Sequence, residues 1–298
     1  MAHVIISADF NQQELRLLAS ESEDATLMDA YLGETQKDLH TITACAIAPG
    51  EILRSGGRFI LRDVELDSAT GRVRYDFYEQ ARKQKDDLGQ FLDNIRGKGA
   101  KPANFLIVFG GGAGTLAANL MIKRQIAQEY VEGWLDTYPG VPKWWAKVDE
   151  FARRNGYVQT VYGTRRHCWP NIVSQDSNQR SAMERQCRNF LIQGSASEIL
   201  KIVLAGTAKT RLFKETGAKL IAPVYDEITA SVPVEAVVEY CGRLSALMAI
   251  TPPGHKVPMV PEISIGRENW GNKVELGAFP SAEAIEAAVR GEPMENAA

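Results

Sequence analysis

Two acidic positions in this sequence stand where apolar strands give out. "VIISADF" places Asp9 after Val4, Ile5 and Ile6, and "APVYDEI" places Asp226 and Glu227 after a second apolar run. A carboxylate at the end of a buried strand is costly unless something pairs with it. If the two strands are neighbours, Asp9 and Asp226 converge at one edge of a sheet. Two carboxylates held close repel one another unless a cation lies between them. Oxygen-only ligands suit Mg²⁺, which keeps waters and takes its remaining ligands from a phosphate-bearing substrate. Two such ions about 4 Å apart can activate an attacking hydroxyl and stabilise a leaving oxygen. The same acids also suit plainer work, Asp9 as a helix cap and Asp226-Glu227 as a hairpin turn. By themselves they do not choose.

Two stripes at helical spacing add to this. Arg185, Asn189 and Gln193 recur at i, i+4 and i+8, on one face of a helix candidate spanning about 178–208. Long donors in a row suit a DNA minor groove, where every base pair offers an acceptor at similar positions. A solvated polar face is the commoner reason for such a row. Lys101, Phe105 and Phe109 recur at the same spacing. A cation one turn before two aromatics can hold a phosphate and stack on a base, although aromatic stripes more often belong to a core. The following "GGGAGT" lacks the spacing of a P-loop.

The elements that must position these residues follow from periodicity and turn residues. Residues 3–9 read as a strand and about 12–32 as one helix. "KDLHTITACAI" reads as helix. "RFILRDVELDSATGRVRYDFYE" reads as two strands of a hairpin, and about 76–95 as a charged helix. The segment from Arg124 to Gly156 is helical with a break at Pro139-Gly140. "YVQTVYGTRRHCW" gives two short strands across Gly163, and "KLIAPVYDEITASVPV" gives strand, acidic turn, strand. A helix at about 233–249, a late strand in "VPEISIG" and a final helix that frays complete the chain.

Composition bounds the function classes. The 298 residues are 45% hydrophobic and 24% charged, ordinary for a globular chain, and the net charge of −3 excludes a uniformly basic coat while allowing a local basic cleft. Cys45, Cys168, Cys187 and Cys241 form no CxxC pair, which points to reduced thiols in the cytoplasm and away from a disulfide framework or zinc. No apolar run reaches transmembrane length and no signal peptide is visible, so no membrane partner is expected.

Taken together, several segments in order along the chain resemble the family A DNA polymerases. "ADFNQQELRLLA" resembles the first palm motif, and "KPANFLIVFG" the fingers helix. "GYVQTVYGTRRH" and "ERQCRNFLIQGSASEILK" are similar to two further motifs. "VYDEI" resembles the H-D-E motif, and "PEISIGRENWG" the closing strand. The resemblance covers about residues 3–272. It implies an α+β fold, with an antiparallel polymerase palm and mainly helical fingers. It divides the chain into palm (1–37), fingers (38–160, with the hairpin inserted at about 58–78), palm again (161–280) and a tail (281–298). It implies that Asp9 and Asp226 bind two Mg²⁺ ions, with Glu227 as an auxiliary catalytic acid. Glu14 would be the steric gate against a ribose 2′-hydroxyl. His40, Arg96, Lys98, Lys101, Phe105 and Phe109 would face the incoming dNTP, and Arg185, Asn189 and Gln193 the primer–template DNA.

Four departures stand out. Gly97 occupies the place where an arginine is expected four residues before Lys101, with Arg96 and Lys98 flanking it, so a distorted helix start is expected. Phe109 replaces a tyrosine, Tyr225 replaces a histidine, and residues 51–95 are longer than usual. Set against the family pattern, the chain is expected to lack the thumb, the start of the palm and an exonuclease. This points to a fragment or to a split polymerase subunit, plausible in a bacteriophage, needing a second polypeptide. It would leave the first strand with an unpaired neighbour. The implied function is a template-directed DNA polymerase subunit. The alternatives are a non-catalytic DNA-binding or assembly subunit and a single-subunit RNA polymerase. Glu14 and Glu227 weigh against the last, and the Asp9/Asp226 pair against the former.

Overall fold

The computed structural model describes residues 2–292. From the N-terminus, β1 (His3–Phe10) leads into α1 (Gln13–Ser22), α2 (Ala25–Leu32) and α3 (Leu39–Arg54). After an irregular stretch come α4 (Tyr75–Gln84), α5 (Asp87–Asn94), a π turn at Ile95–Ala100 and α6 (Lys101–Val108). Helices α7 (Ala113–Leu120), α8 (Arg124–Thr137) and α9 (Gly140–Asn155) precede the short pair β2 (Tyr157–Gln159) and β3 (Arg165–His167). The long α10 (Ser177–Lys209) and α11 (Leu212–Thr216) lead to β4 (Lys219–Val224) and β5 (Glu227–Pro233). Then follow α12 (Val237–Met248), β6 (Pro261–Gly266), β7 (Val274–Gly277) and α13 (Ala282–Arg290). The remainder of the expected tail, residues 293–298, lies outside the described residues. The fold is a mixture of helices and antiparallel sheet.

The chain divides into two compact units. One holds the residues up to Ser20, Gln159–Arg165 and the chain from Phe190 onward; the other holds Glu21–Val158 and Arg166–Asn189. The first unit is built on a five-stranded sheet of order β4-β5-β1-β6-β7, antiparallel throughout. β1 is central. It pairs with β5 in the register Ile6 to Ala230 and Ala8 to Ile228, and with β6 so that Asp9 faces Glu262. Its Val4, Ile6, Ala8 and Phe10 are buried, and α12 packs on β1, β5 and β6. The first strand therefore has partners on both sides, contrary to the expectation of an open neighbour. The unpaired edges belong to β4 and β7.

The second unit is helical. Its core gathers Leu27, Leu39, Ile52, Tyr78, Leu92, Ile107, Trp134 and Tyr138. Two expectations fail here for local reasons. The single helix expected over 12–32 is two, because Asp24 starts a new one: its carboxylate accepts the N–H groups of Thr26 and Leu27, and that of Gly140 at 2.7 Å. The hairpin expected at 58–78 reduces to a single bridge between Leu66 and Val73, after a 3₁₀ turn at Leu61–Asp63. Asp67 collects the N–H groups of Ala69 and Thr70 and the Thr70 hydroxyl, while Gly71 closes the turn at φ +69°. The Val73 N–H then donates to the carbonyl of Cys45 on α3, and α4 begins at Tyr75. Two strands with no third to pair with and no shared apolar face have little to stabilise them.

Candidate active site

In the sheet unit, the hairpin between β4 and β5 turns on Tyr225 and Asp226. Tyr225 takes a left-handed φ of +56° and is almost fully exposed, which lets a two-residue connection close. That turn brings Asp226 against Asp9 on the neighbouring β1. Burial and the charge of Asp226, which also shares a hydrogen bond with it, push the Asp9 carboxyl up to about 6. The Phe10 N–H, 2.9 Å from Asp9 Oδ1, opposes that rise. Neither aspartate has an ion pair or a cationic partner among the described residues. Glu14 joins them from the first turn of α1, where burial and then Asp226 push it up to about 7, leaving it close to half protonated in neutral solution.

Glu227 stands apart from this group in its bonding. It is buried at the start of β5, and its carboxylate accepts Lys273 Nζ at 2.6 Å, Trp270 Nε1–H at 2.8 Å and the Thr229 hydroxyl at 2.7 Å. Burial alone would raise its pKa, but these donors outweigh it and hold the carboxyl down to about 2. Glu227 is thus committed to Lys273 and Trp270. Nothing in the local spacing of "ENWGNK" announces this partnership.

Among the described residues no three carboxylate, imidazole or thiol groups assemble into a metal cage. Two adjacent carboxylates without a counter-charge nevertheless fit Mg²⁺, which takes few protein ligands and completes its shell with water and phosphate.

In the helical unit, the distortion expected at Gly97 is the π turn. The N–H of Lys101 donates to the carbonyl of Arg96, five residues back, so that Arg96 lies one turn before Lys101. The extra residue in the turn gives Arg96 the place that the sequence spacing assigned to position 97. A Cβ at Gly97 would meet no atom within 4 Å, so steric crowding does not require glycine there. Lys98 and Lys101 are exposed and without a bonded partner among the described residues. Lys98 follows Arg96 by two residues, a spacing that points it elsewhere on a helix.

His40 is buried in α3, with its ring 5.7 Å from that of Phe105. Trp134 Nε1–H and the Thr43 hydroxyl both donate to Asn104 Oδ1, at 2.8 and 2.7 Å. The indole can only donate, so this orients the Asn104 amide and makes its NH₂ the donor to His40 Nδ1, at 2.9 Å. Burial lowers the His40 pKa; Asp38 opposes this, while Arg96 and Lys101 add to it. A neutral imidazole with its proton on Nε2 follows. The layer behind His40 was not legible in the sequence, since Asn104 and Trp134 lie far apart in the chain.

The aromatic stripe does not run as one helix face. Phe105 is exposed on α6, but that helix ends at Val108 and Phe109 is its half-buried cap. The Phe109 carbonyl accepts Asn189 Nδ2 at 3.2 Å, and Arg185 packs its aliphatic stem over Gly110, leaving no room for a Cβ there. Asn189 is therefore engaged within the helical unit, together with the stem of Arg185. Gln193 lies in the part of α10 that belongs to the sheet unit, where it is exposed.

The comparisons with known proteins agree on one family. Residues 75–272 match DNA polymerase family A. DNA polymerase I of Bacillus caldotenax is 31% identical over 245 residues, covering 82% of this chain and 23% of that protein. DNA polymerase I of Deinococcus radiodurans is 28% identical over 266 residues, covering 89% of this chain and 23% of that protein. The chain thus spans under a quarter of the length of these curated relatives. A solved structure, the POL domain of Pol1 from M. smegmatis in complex with DNA primer-template and dNTP, is similar with a TM-score of 0.66 and 25% identity. The match covers 89% of this chain and 40% of that one. A family match over most of the chain, with relatives and a solved fold that point the same way, places this protein in DNA polymerase family A.

Proposed function

We propose that this chain is the palm and fingers portion of a template-directed DNA polymerase that adds deoxynucleotides to a primer 3′-hydroxyl. The observation that carries this reading is the meeting of Asp9 and Asp226, two carboxylates in contact and with no ion pair to a lysine or arginine among the described residues. The sheet unit is read as palm and the helical unit as fingers. Asp9 and Asp226 would hold two Mg²⁺ ions, which when bound supply charge neutralisation for phosphoryl transfer. Arg96 and Lys101 offer donors to a triphosphate, with Lys98 as a further cation nearby in sequence. His40 presents a neutral Nε2–H, a hydrogen-bond donor that adds no charge. Phe105 and Phe109 offer faces for the base and sugar. Glu14, with its carboxyl pushed up to about 7, can pack against a deoxyribose at less than the cost of burying a full charge. Glu227 keeps the start of β5 fixed through Lys273 and Trp270, beside Asp226. Gln193 and the guanidinium of Arg185 remain for the duplex minor groove.

A segment that grips the duplex belongs to this reading, whether carried by the same chain or by a second polypeptide. The reaction is placed in the cytoplasm, where the four free thiols stay reduced. The test is nucleotide addition by Asp9→Ala and Asp226→Ala, measured with primer–template and dNTP beside a DNA-binding assay. Loss of addition by at least about a thousandfold with DNA binding retained is expected. Addition that persists in either variant would point to the non-catalytic DNA-binding alternative.

A further inference from the structure

Asp38 engages Arg96 through one nitrogen only. Its Oδ2 accepts Arg96 Nε at 2.6 Å and the Thr41 hydroxyl at 2.9 Å. The same carboxylate caps α3 by accepting the N–H groups of His40 and Thr41, and the Asp38 N–H donates to the Tyr75 hydroxyl at 2.8 Å. The acid is therefore held from several sides, and the ion pair is partly buried. Arg96 Nη1 and Nη2 make no hydrogen bond or ion pair among the described residues. A guanidinium fixed at Nε and open at both Nη groups is a preset fork for a bidentate oxyanion. The π turn sets that fork one turn before Lys101, itself without a bonded partner.

We propose that Asp38 is a positioning residue for polyphosphate binding, holding Arg96 by Nε so that its two Nη groups, with Lys101, meet a triphosphate already oriented. The proposal rests on the nucleotide reading given above and names the residue behind it. The plainer role for Asp38 is that of a cap that ties α3 to the π turn.

Asp38→Asn separates the two. Asparagine caps a helix as well as aspartate, but it is uncharged: even where its single oxygen stands at the place of Oδ2, which accepts both the Thr41 N–H and Arg96 Nε, the ion pair that fixes the guanidinium is lost. Binding of inorganic tripolyphosphate to the full chain, without DNA or metal, is measured by titration calorimetry for wild type, D38N, R96A and D38N/R96A. Wild type is expected to bind, and both single variants to bind about tenfold more weakly. The double variant should be no weaker than R96A, because Asp38 acts only through Arg96. Wild-type affinity in D38N, losses that add in the double variant, or no binding by wild type would each overturn the proposal. The dTTP KM in primer extension is expected to rise in D38N with kcat little changed, and partial rescue by D38E would follow from a restored carboxylate. Because the tripolyphosphate measurement needs no catalysis, its failure is distinct from a failure of the polymerase reading, which Asp9→Ala and Asp226→Ala decide.

Discussion

At the scale of single residues, the two acid groups of the sheet unit show how environment divides like side chains. Asp9 and Glu14 are pushed up by burial and by Asp226, whereas Glu227, also buried, is held down by Lys273. A steric gate at Glu14, as proposed above, would act by the volume of its side chain. Glu14→Ala should therefore raise the ratio of ribonucleotide to deoxynucleotide incorporation by about tenfold or more, the discrimination a buried contact can supply. An unchanged ratio in competition assays would place sugar selection elsewhere. Asp38 carries a pH signature. Burial would raise its pKa, but the Arg96 bond and charge outweigh that and hold it below 3.8. A carboxyl depressed in the folded state contributes stability that is complete above its ordinary value and is lost as pH falls through the folded one. D38N should accordingly melt below wild type at pH 7, with the gap closing as pH is taken down through 3.8 and beneath it. A gap independent of pH would show that the Asp38–Arg96 ion pair is not its source.

At the scale of elements, the π turn at Ile95–Ala100 matters most. It absorbs one extra residue and so carries Arg96 into line with Lys101. Gly97 leaves that turn with more freedom in the unfolded chain than it needs, and a Cβ there meets open space. Gly97→Ala should stabilise the protein by about 0.5–1 kcal/mol, read as a raised denaturant midpoint with unchanged slope. A loss of stability would mean that the turn depends on glycine's flexibility. The stretch from Ile60 to Arg74 makes a related point. Its residues alternate like a strand, and Asp67 N–H to Arg72 and Arg74 N–H to Glu65 do cross between its arms, but the Asp67 turn and the Val73 bond to Cys45 stop the pairing at one bridge.

For the molecule as a whole, the −3 charge means that no general field attracts nucleic acid, so affinity for DNA depends on local contacts. The five-stranded sheet closes around a central β1 within this chain. With no long-range attraction to hold a duplex, extension by the purified chain alone should yield products of a few added nucleotides. Adding a polypeptide that grips the duplex should lengthen them, as read on a sequencing gel with trap DNA. Long products from the chain alone under single-encounter conditions would refute this.

How much of this was legible beforehand depends on whether the signal was local. The Asp9 strand, the acidic turn before Glu227, the break at Pro139-Gly140 and the long helix through Arg185 are written in periodicity and turn residues, because such elements depend on neighbours within a few positions. The family motifs are similarly contiguous. Other features needed partners distant in the chain. Asp24 splits one helix into two partly by reaching Gly140, Lys273 neutralises Glu227 across residues that no spacing connects, and Trp134 orients His40 through Asn104. The π turn is intermediate: the sequence flagged Gly97 as a departure, but only the backbone hydrogen bond from Lys101 to Arg96 decided which of the flanking cations, Arg96 or Lys98, stands in line. The sequence by itself therefore determined the family and the order of its motifs, and with them the side chains proposed for phosphoryl transfer. The tertiary structure decided which of them are paired, which are open and how each is charged, because burial and charge neutralisation depend on atoms brought together only by folding.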